Sequence, residues 1–177
     1  MKNYVKITGG TCRGQKIATP GGDTHPMGER ERIALFNMLG ERVRGKNVHD
    51  VFAGSGTLGL EALSRGAERV VFVEKDPNAC KIIKDNINKL GFQAHCDVIY
   101  GNAYRTLTAA NQFDLVFADP PYDAYDEKKL EILTYVVANP GGILVLSHPG
   151  PSPEMPGIRL VTTRQYARAH ISIYEIA

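Results

Sequence analysis

From residue 47 onward, short runs of β-branched and apolar residues alternate with longer stretches of amphipathic spacing. Residues 47–52, 69–74, 94–100, 113–118 and 143–147 read as strands, and 57–65, 77–90, 103–109 and 127–137 as the helices between them. The second of these helices carries its own start signal, Asp76 as N-cap followed by Pro77 at the first helical position. Alternation of this kind requires right-handed crossovers and a mostly parallel sheet covered on both faces, an α/β, Rossmann-like fold. The pattern then changes: 157–163 and 170–176 read as two strands joined by a turn, an antiparallel closure that brings the sheet to seven strands. Upstream, 4–7 and 15–18 flank Thr8-Gly9-Gly10 and Arg13-Gly14 as a small hairpin. Ile33, Leu35, Phe36 and Leu39 then mark a helix from Glu29 to a stop at Gly40.

A chain of 177 residues suits one domain, with residues 1–45 as a hairpin-and-helix extension and 46–177 as the core. Charge is distributed unevenly between them. Residues 1–46 hold nine basic side chains against four acidic ones, whereas the rest hold twelve against fifteen. A basic segment beside a slightly acidic body is an electrostatic footprint for a polyanion, with Arg13, Lys16, His25, Arg30 and Arg32 as the candidate contacts. Cys12, Cys80 and Cys96 are odd in number and match no zinc or redox spacing, and His49, His95, His148 and His170 make no ligand spacing, so no metal is expected. No opening segment reads as a signal peptide and no apolar run is long enough to span a bilayer; a cytoplasmic protein with reduced thiols, monomeric, is expected.

Candidate chemistry gathers at the predicted strand ends. Gly54-Ser55-Gly56-Thr57-Leu58-Gly59 follows a strand and opens a helix, the context a glycine-rich cofactor loop requires. Glu74 closes the next strand, where a carboxylate can accept both ribose hydroxyls of a nucleoside. These features alone suit a nicotinamide or an S-adenosylmethionine (SAM) nucleoside. Asp50, four residues before the first glycine, suits the ammonium of a methionine tail and would repel a pyrophosphate; the alternative is a strand-end acid bonded to local backbone. Asn102 and Ala103, after the third strand of the core, can meet an adenine edge, and Asn102 can equally cap the helix expected after it.

Asp119-Pro120-Pro121-Tyr122 follows the apolar run 113–118. Two adjacent prolines have φ fixed near −65° and no N–H, so the turn is stiff and its carbonyls face outward. An acidic acceptor, a carbonyl and an aromatic plate at a strand's end can hold a planar base by its exocyclic amine.

These residues together resemble class I SAM-dependent methyltransferases, and more closely the RsmD-type 16S ribosomal RNA (guanine-N2) methyltransferases. The resemblance runs over nearly the whole chain: Ile7-Thr8-Gly9-Gly10 with Arg13-Gly14, Arg30 to Leu39, Asp50 to Gly56, Val73-Glu74-Lys75-Asp76, and Asp119 to Tyr122. It implies methylation of guanine 966 in 16S rRNA within a small-subunit assembly intermediate, with Asp119, Pro120, Pro121 and Tyr122 at the reacting amine. The expected SAM contacts are Asp50, Phe52, Ala53, Gly54, Ser55, Gly56, Thr57, Gly59, Glu74, Lys75, Asn102, Ala103 and Asp119. The chain departs from the family at His25-Pro26-Met27, where Arg-Pro-Thr is usual, and at Ile33, where an acid is usual. Rival readings are a methyltransferase of another planar amine such as adenine N6, a nicotinamide oxidoreductase, which leaves Asp50 and the Pro-Pro turn without a role, and a non-catalytic RNA chaperone, against which Asp119 stands.

Overall fold

The computed structural model describes residues 3–21, 27–106, 113–122, 125–126, 128–130, 138–166 and 169–176. A two-stranded antiparallel hairpin, β1 (Asn3–Lys6) and β2 (Lys16–Thr19), precedes helix α1 (Glu29–Leu39). The core follows as β3 (Asn47–Asp50), α2 (Thr57–Ser64), β4 (Arg69–Glu74), α3 (Pro77–Leu90), β5 (Cys96–Tyr100), β6 (Phe113–Ala118), β7 (Ala138–His148), β8 (Ile158–Gln165) and β9 (His170–Ile176). Its sheet has the order β5-β4-β3-β6-β7-β9-β8, parallel through β7, with β9 antiparallel to both neighbours. The expected seven-stranded α/β sheet with its antiparallel closure is therefore present.

Strand alternation explains why both faces are buried. Val70 and Phe72 point to the side that α1, α2, α3 and the hairpin cover, and Val71 and Val73 to the other, where Val116, Leu144, Leu146 and Tyr174 complete a second core. Helix α2 is buried at every one of its eight residues, held against β4 at Gly59, where an added Cβ would lie 2.3 Å from the Phe72 ring. Helix α3 starts as expected, the Asp76 carboxylate accepting the Asn78 N–H at 3.0 Å, and ends at Gly91 with φ 78°.

Several expected bounds move. β7 begins at Ala138 rather than 143 because the chain pairs with Phe113 before a register shift, turning through Gly141 at φ 74°. Of the helix expected over 103–109, residues 103–106 are a turn and the remainder lies outside the described residues; of 127–137, residues 128–130 are helical and the rest lie outside them. Among the described residues no helix is long and apolar enough to cross a membrane.

The extension is locked to the core by one buried acid. Glu61 of α2, 0% exposed, accepts the Thr8 N–H through both oxygens (3.0 and 2.9 Å) and the Thr8 hydroxyl. It also accepts Arg65 Nε at 3.1 Å and Nη2 at 3.0 Å, and lies 4.0 Å from Arg32 Nε. Gly9 and Gly10 fit because a Cβ at either would overlap the Arg65 guanidinium or the Ser64 carbonyl. On the β2 side, Asn86 of α3 accepts the Ala18 N–H at 2.9 Å and donates to the Ala18 carbonyl at 2.8 Å, the same amine reaching the Ser55 carbonyl at 3.4 Å.

Candidate active site

The strand order reverses between β3 and β6: β4 and β5 lie to one side of β3, β6 and β7 to the other. In open α/β sheets ligands bind in the crevice that this reversal opens beyond the carboxyl ends of the strands. Asp50 ends β3, Glu74 ends β4, and Asp119 follows β6, so three carboxylates sit on adjacent strand ends around the crevice. Asp50 pairs in register with Phe117, which puts Asp119 two residues further along, about 7 Å by strand rise.

Each carboxylate is held differently. Asp50, 1% exposed, accepts the Gly59 N–H at 3.0 Å through one oxygen. Burial lifts its carboxyl to about 7 against that hydrogen bond, and the nearby charges of Asp119 and Glu74 add to the rise. The local-backbone partner that sequence left as an alternative is thus present. Glu74 accepts the Gly54 N–H at 2.7 Å through Oε2 and the N–H groups of Lys75 and Asp76 at 2.8 and 2.9 Å through Oε1, fixing the glycine loop to the end of β4. Burial also raises the Asp119 carboxyl, a Ser147 hydroxyl bond pulling it back and the charge of Glu31 pushing it further. Among the described residues no lysine or arginine forms an ion pair with any of the three.

The glycine loop crosses between these acids. Gly54 and Gly56 have φ of 54° and 73°, in the left-handed region, and the Gly56 N–H closes onto the Ala53 carbonyl at 2.6 Å. Ser55 and Thr57 are buried and bonded to each other at 2.6 Å, which turns their hydroxyls inward. Phe52 stands edge-on to Tyr104 at 5.5 Å, one wall of the crevice. Lys75 is exposed and Ala103 buried beside that wall. Asn102 uses its side-chain carbonyl to accept the Tyr104 N–H at 2.9 Å, closing a turn where a helix cap was expected, so its amide NH2 is what it can present to an adenine.

Past Asp119, Pro120 is buried while Pro121 and Tyr122 are exposed, the Tyr122 ring at 40%. The Tyr122 hydroxyl is 3.2 Å from Ser147 Oγ at the end of β7, so Ser147 serves both Asp119 and Tyr122. Ser147 belongs to no local motif, and Glu31 reads locally as the N3 acid of α1, its carboxylate accepting the Gly28 N–H at 2.9 Å. Only the meeting of β7 with the Pro-Pro turn relates Ser147 to Asp119.

The polyanion candidates divide. Arg13, Lys16 and Arg30 are exposed, and His25 lies outside the described residues. Arg32 corrects the expectation: it is 1% exposed, donates to the Met27 and Lys6 carbonyls at 2.6 and 2.9 Å, and faces Glu61, so its charge stabilises the extension instead of meeting a ligand. The histidines of the core serve packing: His49 stacks on Phe113 with burial pulling its ring down to about 4, and His148 bonds Ser172 at 2.8 Å.

The chain is similar in sequence and fold to known proteins. The chain is 33% identical over 181 residues to "Putative rRNA methyltransferase YlbH" of Bacillus subtilis, covering 97% of this chain and 98% of that one. It is 37% identical over 126 residues to "Ribosomal RNA small subunit methyltransferase D" of Haemophilus influenzae, covering 68% of this chain and 65% of the relative. Among solved structures, "Putative methyltransferase yhhF from Escherichia coli" superposes with a TM-score of 0.89 over 98% of both chains at 27% identity. The model of the family described as conserved hypothetical protein 95 matches residues 5–175, from the first hairpin strand to the last strand of the sheet, and the chain belongs to that family, the RsmD family.

Proposed function

We infer that the protein is a SAM-dependent ribosomal RNA methyltransferase that transfers a methyl group to the exocyclic N2 of a guanine in 16S rRNA, guanine 966 by family expectation, during small-subunit assembly. The observation that carries the donor assignment is the crevice of Asp50, Glu74 and Asp119, which no lysine or arginine among the described residues neutralises. A donor with a positive ammonium and a positive sulfonium is attracted there, while the pyrophosphate of a nicotinamide dinucleotide is repelled. The names of the relatives support an rRNA acceptor.

When bound, SAM supplies an electrophilic methyl on sulfur. The protein must make the amine nucleophilic and hold it in line. The N2 lone pair of guanine is delocalised into the ring; Asp119 and the Pro120 carbonyl, accepting its two N–H groups, favour a pyramidal nitrogen whose lone pair points at the methyl. Tyr122 offers its face to the base, a stack worth about 1–3 kcal/mol, which offsets part of the cost of drawing the base out of its own stack. Ser147 fixes the tyrosine hydroxyl.

Asp119→Ala tests the reading, with SAM affinity measured by calorimetry and methyl transfer to unmodified 16S rRNA mapped by mass spectrometry. Turnover is expected to fall by at least about a hundred-fold with SAM affinity kept within a few-fold. Weakened SAM affinity with turnover preserved at saturating SAM, or a methyl group mapped to adenine, overturns it.

A further inference from the structure

The outer face of the hairpin carries a feature for which the catalytic crevice has no use. Strand alternation turns Val5, Ile7 and Ile17 inward, toward the core, and leaves Tyr4, Lys6 and Lys16 outward. Tyr4 is 52% exposed, more than any other large apolar or aromatic side chain among the described residues except Tyr100, and it stacks on no other ring among them.

Register shows where that ring lies. Tyr4 pairs with Ala18, and Lys6 with Lys16. The Ala18 N–H and C=O are both held by the Asn86 amide, whose NH2 also reaches the Ser55 carbonyl of the glycine loop. Tyr4 therefore stands one strand away from a residue that is joined through a single amide to the cofactor loop. The two lysines lie two residues toward the turn, about 7 Å along the strands. The exposed Arg13 of the turn lies beyond the two lysines along the hairpin. An aromatic plate followed by cations at this spacing matches a nucleotide: a base for the ring, phosphates for the lysines.

We propose that the outer hairpin face, Tyr4 with Lys6 and Lys16, is a docking platform for an unpaired nucleotide of the RNA substrate, Tyr4 stacking on its base outside the catalytic crevice. This rests on the RNA reading of the active site. The positive side chains select a polyanion over an apolar protein surface, and stacking selects single-stranded over duplex RNA, whose bases are closed to side-chain rings.

The chain contains no tryptophan, so Tyr4→Trp gives a sole indole on this face. In this variant, titration with a stem-loop RNA bearing an unpaired guanine-containing loop is expected to quench the indole emission, and a blunt duplex of equal length to leave it unchanged. Tyr4→Ala is expected to weaken stem-loop affinity by about ten-fold or more, and Tyr4→Phe by less than two-fold, with SAM affinity and melting temperature unaltered. If the unsubstituted protein binds and methylates RNA while Tyr4→Ala binds equally well, or if the indole is silent to an RNA that does bind, the platform is refuted and the active-site reading stands. Failure of the unsubstituted protein to bind any RNA overturns both. A Tyr4→Ala variant that keeps RNA affinity and instead loses a ribosomal protein partner reassigns the face to protein docking and refutes the platform.

Discussion

Asp50 is a single buried acid on which stability and, in the proposed reading, donor affinity both depend. Its carboxyl titrates near 7 in the folded chain against an ordinary value of 3.8, so folding favours the protonated form. An acid raised on folding stabilises the native state most fully below its unfolded value, and that stabilisation is lost as pH climbs through the folded one. Between pH 4 and pH 8 the unliganded protein is therefore expected to lose up to about 4 kcal/mol from this group. Asp50→Asn, which keeps an oxygen for the Gly59 N–H, should remove that loss in urea unfolding at the two pH values. Pairing with a donor ammonium draws the carboxyl down, so SAM binding should tighten from pH 6 to pH 8 in the unsubstituted protein and be flat in Asp50→Asn. The residues that sequence located, Asp50, Glu74 and Asp119, each end or follow a strand that the local pattern defines. Ser147 was illegible because its relation to Asp119 and Tyr122 arises from the end of β7, a separate element, meeting the Pro-Pro turn.

Among the elements, α2 is where sequence misled most usefully. Its opening glycines announced a cofactor loop, but Glu61 sat unremarked among apolar neighbours, and Arg32 was assigned to RNA because helical periodicity gives a face and not what covers it. A charged residue inside an otherwise apolar, fully buried helix was the available signal, since such a group requires buried donors. The pairing also explains why Ile7-Thr8-Gly9-Gly10 resembles a family motif without touching the crevice: Thr8 bonds Glu61, and the glycines admit Arg65 and Ser64. Glu61→Ala leaves Arg32 buried without its acid, and a loss of about 3–5 kcal/mol is expected. Limited proteolysis should then cut the chain before residue 45 at denaturant concentrations that leave the sheet intact; a variant as resistant as the parent would remove Glu61 from that role. Elsewhere the helix and strand bounds of α1, α3, β4, β6 and β9 were legible because caps, proline and alternation all agreed, whereas β7 was read short because Gly141 and Gly142 look like a turn although pairing has already begun.

On the scale of the whole molecule, the basic excess of the extension outlasts the loss of Arg32 from its surface. Arg13, Lys16 and Arg30 remain exposed, and their joint neutralisation should flatten the salt dependence of RNA binding by about 0.7 to 0.9 in log–log slope for each phosphate contact removed. Filter binding over a range of potassium chloride concentrations measures that slope, and an unchanged slope would take the three off the RNA path. Arg32→Gln should show itself in unfolding and not in the slope. The amide of Asn86 adds a relation between the two ends of the reaction. Because it holds the hairpin at Ala18 and the loop at Ser55 together, ordering either side restricts the other. Binding free energies are reciprocal: if a seated donor favours the hairpin geometry that RNA needs, RNA must favour the donor by the same factor. Where that coupling operates, neither ligand is a spectator of the other's arrival, and half-loaded complexes are disfavoured.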